Sequence, residues 1–113
     1  MEEFTITEEK LNEVTVLFLN GFLDAHTSGI LEKKFEELLS SGNFKIVVNF
    51  KDLTYISSAG LGVFMAYIEN MRNSGGDIKL CSMSDKIFNI FDMLGFPVLF
   101  KITKDQSEAV TNF

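Results

Sequence analysis

The sequence predicts an α/β fold: a mixed central sheet of about five strands, an N-terminal hairpin followed by a largely parallel core, with about four helices. Three observations predict it. Two β-type apolar segments near the N-terminus are separated by a short polar connection. Beyond them, strand-like and helix-like segments alternate. No repeat, low-complexity tract or linker interrupts the 113 residues, a length that suits one domain spanning residues 1–113.

The elements follow in order. Phe4-Thr5-Ile6-Thr7 alternates as a half-buried strand, and residues 8–12 form a polar turn. Residues 14–19 make a second strand, paired with the first as an antiparallel hairpin. From about Ala25 to Ser41 the chain is helical, with Leu31, Phe35 and Leu38 on one face and Glu32, Lys33, Glu36 and Glu37 on the other; Gly42 is its stop. Ile46-Val47-Val48 lacks alternation and reads as a central strand covered on both faces. Residues 51–57 read as a loop and Ser58 to about Asn73 as a helix, with Leu61, Met65, Ile68 and Arg72 on one stripe and Phe64 and Met71 beside it. Gly75-Gly76 ends that helix, and residues 78–81 form a strand. Ser84 caps a third helix, 85–94. Pro97 is read as barring helix, Val98 to Ile102 as an edge strand, and Thr103-x-x-Gln106 as a capping box for a short last helix.

Composition narrows the function classes. Ten basic and sixteen acidic residues give a net charge of −6, so nucleic acid and anionic membrane are poor partners. The lone Cys81, in an apolar run, fits a buried strand residue in a reducing cytosol. Met1-Glu2-Glu3 lacks the basic and apolar regions of a signal peptide, and no apolar run approaches a membrane span. The expected location is cytoplasmic. One histidine, His26, and no clustered cysteines argue against a metal site. No carboxylate pair has general acid–base spacing. Ser58, His26 and Asp24 could be assembled into a triad on paper, but Gly-x-Ser-x-Gly is absent, and His26 reads as an exposed residue at a helix start. No cofactor is implied, and the protein is expected not to be an enzyme.

The informative stretch joins the buried strand to the second helix: Asp52-Leu53-Thr54-Tyr55-Ile56-Ser57-Ser58-Ala59-Gly60-Leu61-Gly62. Ser58 reads as the N-cap, its oxygen accepting from the amide of Gly60 or Leu61. A phosphate there would meet a helix end that favours negative charge. A plain cap accounts for the same residues. Gly60-x-Gly62 is neither a dinucleotide fingerprint nor a Walker loop.

This stretch resembles the signature of the STAS family, the bacterial anti-sigma-factor antagonists, roughly Asp-Leu-Ser/Thr-x-hydrophobic-Asp-Ser-Ser/Ala-Gly-Leu-Gly. Gly21-x-Leu23-Asp24 is similar to the family's second signature, and the order of elements agrees along nearly the whole chain. The resemblance implies a STAS-like domain whose unphosphorylated form captures an anti-sigma factor that is also a serine kinase, freeing a sigma factor. Phosphorylation of a serine at the start of the second helix ends the complex, and a serine phosphatase resets it. Carried over by position, the acceptor is Ser58. Ser57 stands where the family usually has Asp, which removes a charge beside the site and makes Ser57 a second, lesser acceptor. The partner-binding residues are Asp24 and Thr27 with the run Ser57, Ser58, Ala59, Gly60, Leu61 and Gly62; Phe22, Phe96 and Met65 are weaker candidates for that face, with core packing the bland alternative. A monomer is expected. The alternatives are a ligand- or nucleotide-sensing module in a non-sigma pathway and a small hydrolase using Ser58.

Overall fold

The computed structural model describes residues 4–113; Met1-Glu2-Glu3, and with them the reading of the extreme N-terminus, lie outside the described residues. Five strands form one sheet in the order β1-β2-β3-β4-β5: β1 (Thr5–Leu11), β2 (Val14–Leu23), β3 (Lys45–Ile56), β4 (Asp77–Cys81) and β5 (Ile102–Thr103). β1 is antiparallel to β2, and every later pairing is parallel. The helices are α1 (Ser28–Ser40), α2 (Ser58–Asn73), α3 (Asp85–Met93), α4 (Phe96–Leu99) and α5 (Gln106–Thr111). The α/β class, the hairpin and the parallel core agree with the sequence, and the described residues form five helices where about four were expected.

Two cores sandwich the sheet. On one face Leu31 and Phe35 of α1, Phe64 and Ile68 of α2, Ile87 and Phe91 of α3 and Phe96 of α4 pack on Leu17, Leu19, Ile46, Val48 and Phe50. On the other, Ala109 of α5 covers Val14, Val16, Val47 and Cys81. The central reading of Ile46-Val47-Val48 therefore holds, and Cys81 is a buried strand residue. Phe64 is the hub of an aromatic cluster, with ring centroids 5.9 Å from Phe35, 5.7 Å from Phe50, 6.3 Å from Phe91 and 6.5 Å from Phe100. Tilted and edge-on geometries of this kind add to the gain from burying the rings.

Several boundaries differ from those expected. β1 runs on through the polar residues 8–10 to Leu11, because an edge strand needs an apolar residue only on its covered side; the turn is Asn12-Glu13, with Asn12 at a φ of 58° that Asn tolerates. β2 continues to Leu23, and Ala25–Thr27 form a turn ahead of α1. The largest difference is residues 51–56, which extend β3 rather than forming a loop. Register shifts against β2 leave β3 with one extra residue between Asn49 and Asp52 and another between Leu53 and Tyr55. The buried positions Phe50, Leu53 and Ile56 consequently fall three apart instead of two, and the alternation that identifies a strand is lost. In α2 the inward stripe is Leu61, Phe64, Ile68 and Met71, while Met65 and Arg72 face outward. Pro97 starts a helix instead of barring one: it lies in the first turn of α4, where its missing N–H costs nothing, and β5 shrinks to two residues. Thr103 and Gln106 form no capping box. Asp105 is the N-cap of α5, without a side-chain bond, and Gln106 instead accepts from Asn49 Nδ2 at 2.8 Å.

Phe64→Ala would empty the centre of the aromatic cluster. It should lower unfolding free energy by about 3–5 kcal/mol in urea titrations monitored by circular dichroism; a loss below about 1 kcal/mol would contradict the hub role.

Candidate functional site

Parallel β2, β3 and β4 end at one edge of the sheet, and α1, α2 and α3 begin there. The amino ends of three helices therefore lie along one edge, each with the partial positive charge of free amides. At the centre is the β3–α2 junction. Ser57 N donates to Leu23 O at 2.9 Å, which fixes this junction beside the β2–α1 turn.

The cap lies one residue earlier than expected. Ser57, extended at φ −101° and ψ 174°, is the N-cap; its Oγ accepts from Gly60 N at 3.4 Å, and its carbonyl accepts from Leu61 N at 3.0 Å. Ser58 is the first residue of α2 and is exposed, with its hydroxyl outside the cap. Ser57 is half-buried. The two hydroxyls thus divide between structure and surface. The first-turn amides that neither cap nor helix consumes belong to Ser58 and Ala59.

The glycines have different tasks. A Cβ at Gly60 would meet Leu23 Cγ at 2.8 Å, so the missing side chain lets α2 approach the end of β2. At Gly62 a Cβ would meet nothing within 4 Å; this position only keeps the surface low. Within the expected partner-facing run Gly60 and Leu61 are buried, Ser57 is half-buried, and Ser58, Ala59 and Gly62 are exposed.

Asp24 and Thr27 organise the adjoining turn. Asp24 Oδ1 accepts from His26 N at 2.9 Å and Thr27 N at 3.2 Å. The Thr27 hydroxyl accepts from Asp24 N at 2.9 Å and donates to Phe22 O at 2.8 Å. Thr27 is the N-cap residue of α1 but makes no side-chain cap bond, so Asp24 closes the turn leading into α1 rather than capping the helix. Partial loss of water raises the Asp24 pKa, but the bonds from the His26 and Thr27 amides and the Thr27 hydroxyl outweigh it and leave the group below the usual carboxylate value. His26 is exposed, as expected.

Of the three aromatic and methionine candidates, Phe22 and Met65 are exposed, at 39% and 48%, whereas Phe96 is buried in the core at 7%. Sequence reasoning missed Tyr55. It is exposed and pairs with Phe22 at a ring distance of 5.7 Å, an arrangement made by the second bulge of β3 and invisible to alternation. A cavity of about 610 Å3 lined by Met83, Phe88, Ile102 and Lys104 opens near the start of α3. No group of three or more His, Cys, Asp or Glu side chains able to hold a metal occurs among the described residues, and no helix among them is long and apolar enough to cross a membrane.

Two outcomes follow from this geometry. Ser57→Ala should cost about 1 kcal/mol of unfolding free energy through loss of the cap, and Ser58→Ala less than about 0.5 kcal/mol; urea titrations that reverse this order would contradict the assignment. The Asp24 carboxyl, followed by NMR, should titrate below the usual Asp value. Because the folded state holds it low, the support it gives the turn is present above that value and is lost as pH falls through the folded one.

The STAS domain family matches residues 5–109. An anti-sigma-B factor antagonist of Staphylococcus aureus is 28% identical over 100 residues, covering 88% of this chain and 90% of the relative. The crystal structure of a Thermotoga maritima protein, provisionally described as an anti-sigma factor antagonist, superimposes with a TM-score of 0.89 at 26% identity, covering 95% of this chain and 92% of that one. Bacillus SpoIIAA, solved in its phosphorylated form, is alike in fold, with a TM-score of 0.73 at 22% identity over 97% of this chain and 98% of its own. With the signature at the β3–α2 junction and the family match extending over nearly the whole sheet and its helices, the chain belongs to the STAS domain family.

Proposed function

We propose that this protein, acting as one cytoplasmic domain over residues 1–113, is an anti-sigma-factor antagonist controlled by phosphorylation of Ser58. The observation that carries the reading is the division of labour at the start of α2: Ser57 is occupied as the cap, and Ser58 is exposed beside it. The names of its relatives support the same class. The protein is a binding partner rather than an enzyme.

In this reading the unphosphorylated surface of Ser58, Ala59 and Gly62, flanked by Asp24 and Thr27, docks an anti-sigma factor with serine kinase activity. Gly60 and Leu61 hold that surface from beneath, as buried residues. The kinase transfers the γ-phosphoryl group of ATP to Ser58 Oγ, whose proton is lost as ADP leaves. The product carries about −1.5 to −2 charge at a helix end whose free amides tolerate an anion. The fold therefore stays intact while the partner meets a bulky charge in place of a hydroxyl. Release by a several-hundred-fold loss of affinity corresponds to about 3–4 kcal/mol. A serine phosphatase restores the binding form.

The test uses the kinase partner recovered from the same cell, with ATP. Mass spectrometry should place one phosphate on Ser58; modification of Ser57 with Ser58 untouched would overturn the assignment. Ser58→Ala should retain partner binding within about threefold, and Ser58→Glu should weaken it by at least tenfold by calorimetry.

A further inference from the structure

The second core, on the face of the sheet away from α2, is closed by very little. α5 has six residues, far fewer than the roughly 12–15 an isolated helix needs in water. Its N-cap makes no side-chain bond, and Ala109 is its one buried residue. Two polar ties hold it down. Asn49 Nδ2 donates to Gln106 Oε1 at 2.8 Å, and Lys79 Nζ donates to Asn112 O while lying 4.3 Å from the Phe113 ring centroid.

What α5 covers does not need it for its own structure. Val14, Val16, Val47 and Cys81 lie on β2, β3 and β4, which are joined by their own ladders and anchored by the larger core on the opposite face. The chain is pinned as far as Lys104, since Ser82 N bonds to Thr103 O and Lys104 O and the Thr103 hydroxyl to Asp105 O. Beyond that point the two polar ties, Ala109 and the half-buried Val110 are what resist lifting. On lifting, the ammonium of Lys79 and the amide of Asn49, 8% and 7% exposed, regain water. Segments with few buried apolar contacts are the ones that open independently of the global transition.

We infer that α5 is a cover that opens as a separate unit about Lys104–Asp105, uncovering the apolar strip Val14–Val16–Val47 and the chain's sole thiol, Cys81. The strip lies on the face opposite α2, so its exposure is a second conformational state of the domain that does not displace Ser58.

Cys81 is a built-in reporter for the test. The full chain is labelled with N-ethylmaleimide across a urea series, and amide exchange is followed in parallel. Labelling should proceed without urea at a rate nearly flat at low urea, then steepen where global unfolding takes over. Gln106→Ala and Lys79→Met should each quicken the flat phase about five- to tenfold, as expected for loss of one hydrogen bond. The Leu80 amide, bonded to Lys101 O at 2.9 Å, should keep its protection in both variants. Labelling that follows the slope of global unfolding down to zero urea would overturn the inference. So would Leu80 exchange that accelerates together with Cys81.

Discussion

The packing of Phe64 against Phe50 is the constraint on which the rest of the structure depends. It ties α2 to the central strand β3 and draws in Phe35, Phe91 and Phe100 from α1, α3 and the segment leading to β5. It also decides what the surface presents. A helix turns about 100° per residue, so fixing Phe64 inward fixes Leu61, Ile68 and Met71 inward with it. Ser58, Gly62, Met65 and Glu69 are then carried to the outside as one stripe, all exposed. The outward position of Ser58 is a consequence of a phenylalanine further along the same helix, Phe64.

The bulges of β3 set the other coordinate, the point at which α2 begins. Without the two extra residues, strict alternation would carry Tyr55 and Leu53 to different positions against β2, and the strand would meet Leu23 in another register. With them, Ile56 stands opposite Leu23, and the next amide, from Ser57, bonds to the Leu23 carbonyl. Gly60 completes the fit, because a side chain there would strike Leu23. The β2–α1 turn and the start of α2 thus form one unit, although about thirty residues separate them in sequence.

These same features explain what could be read in advance. The alternation of strands and helices, the inward stripe of α1, the Ser84 cap and the burial of Cys81 rest on local periodicity or local capping, and all were legible. The signature around Ser58 was legible as a pattern, but the cap expected at Ser58 lies at Ser57. Two serines in a row both qualify as caps, and only the backbone bond of Ser57 to Leu23, a tertiary contact, decides between them. Residues 51–56 lost their strand character because bulges replace a period of two by a period of three. Pro97 is the opposite case: proline bars helix interiors, but it stands in the first turn of α4, where it fits. The Phe22–Tyr55 pair was out of reach because it is made by the register shift itself.

The cap assignment also clarifies the substitution at position 57. Asp, which the family usually carries there, and Ser are about equally good N-caps. Replacing one by the other leaves the start of the helix intact while removing a fixed negative charge. Asp24, in the adjoining β2–α1 turn, already has its carboxylate engaged by two backbone amides. The free amides of Ser58 and Ala59 are therefore not compensated by a charged cap, and the amino end of α2 keeps more of its positive character than an Asp-capped relative would. A phosphate arriving on Ser58 would meet no like charge at the adjacent residue. At this position, then, cap chemistry and charge chemistry are separable, and the sequence has kept the first while changing the second.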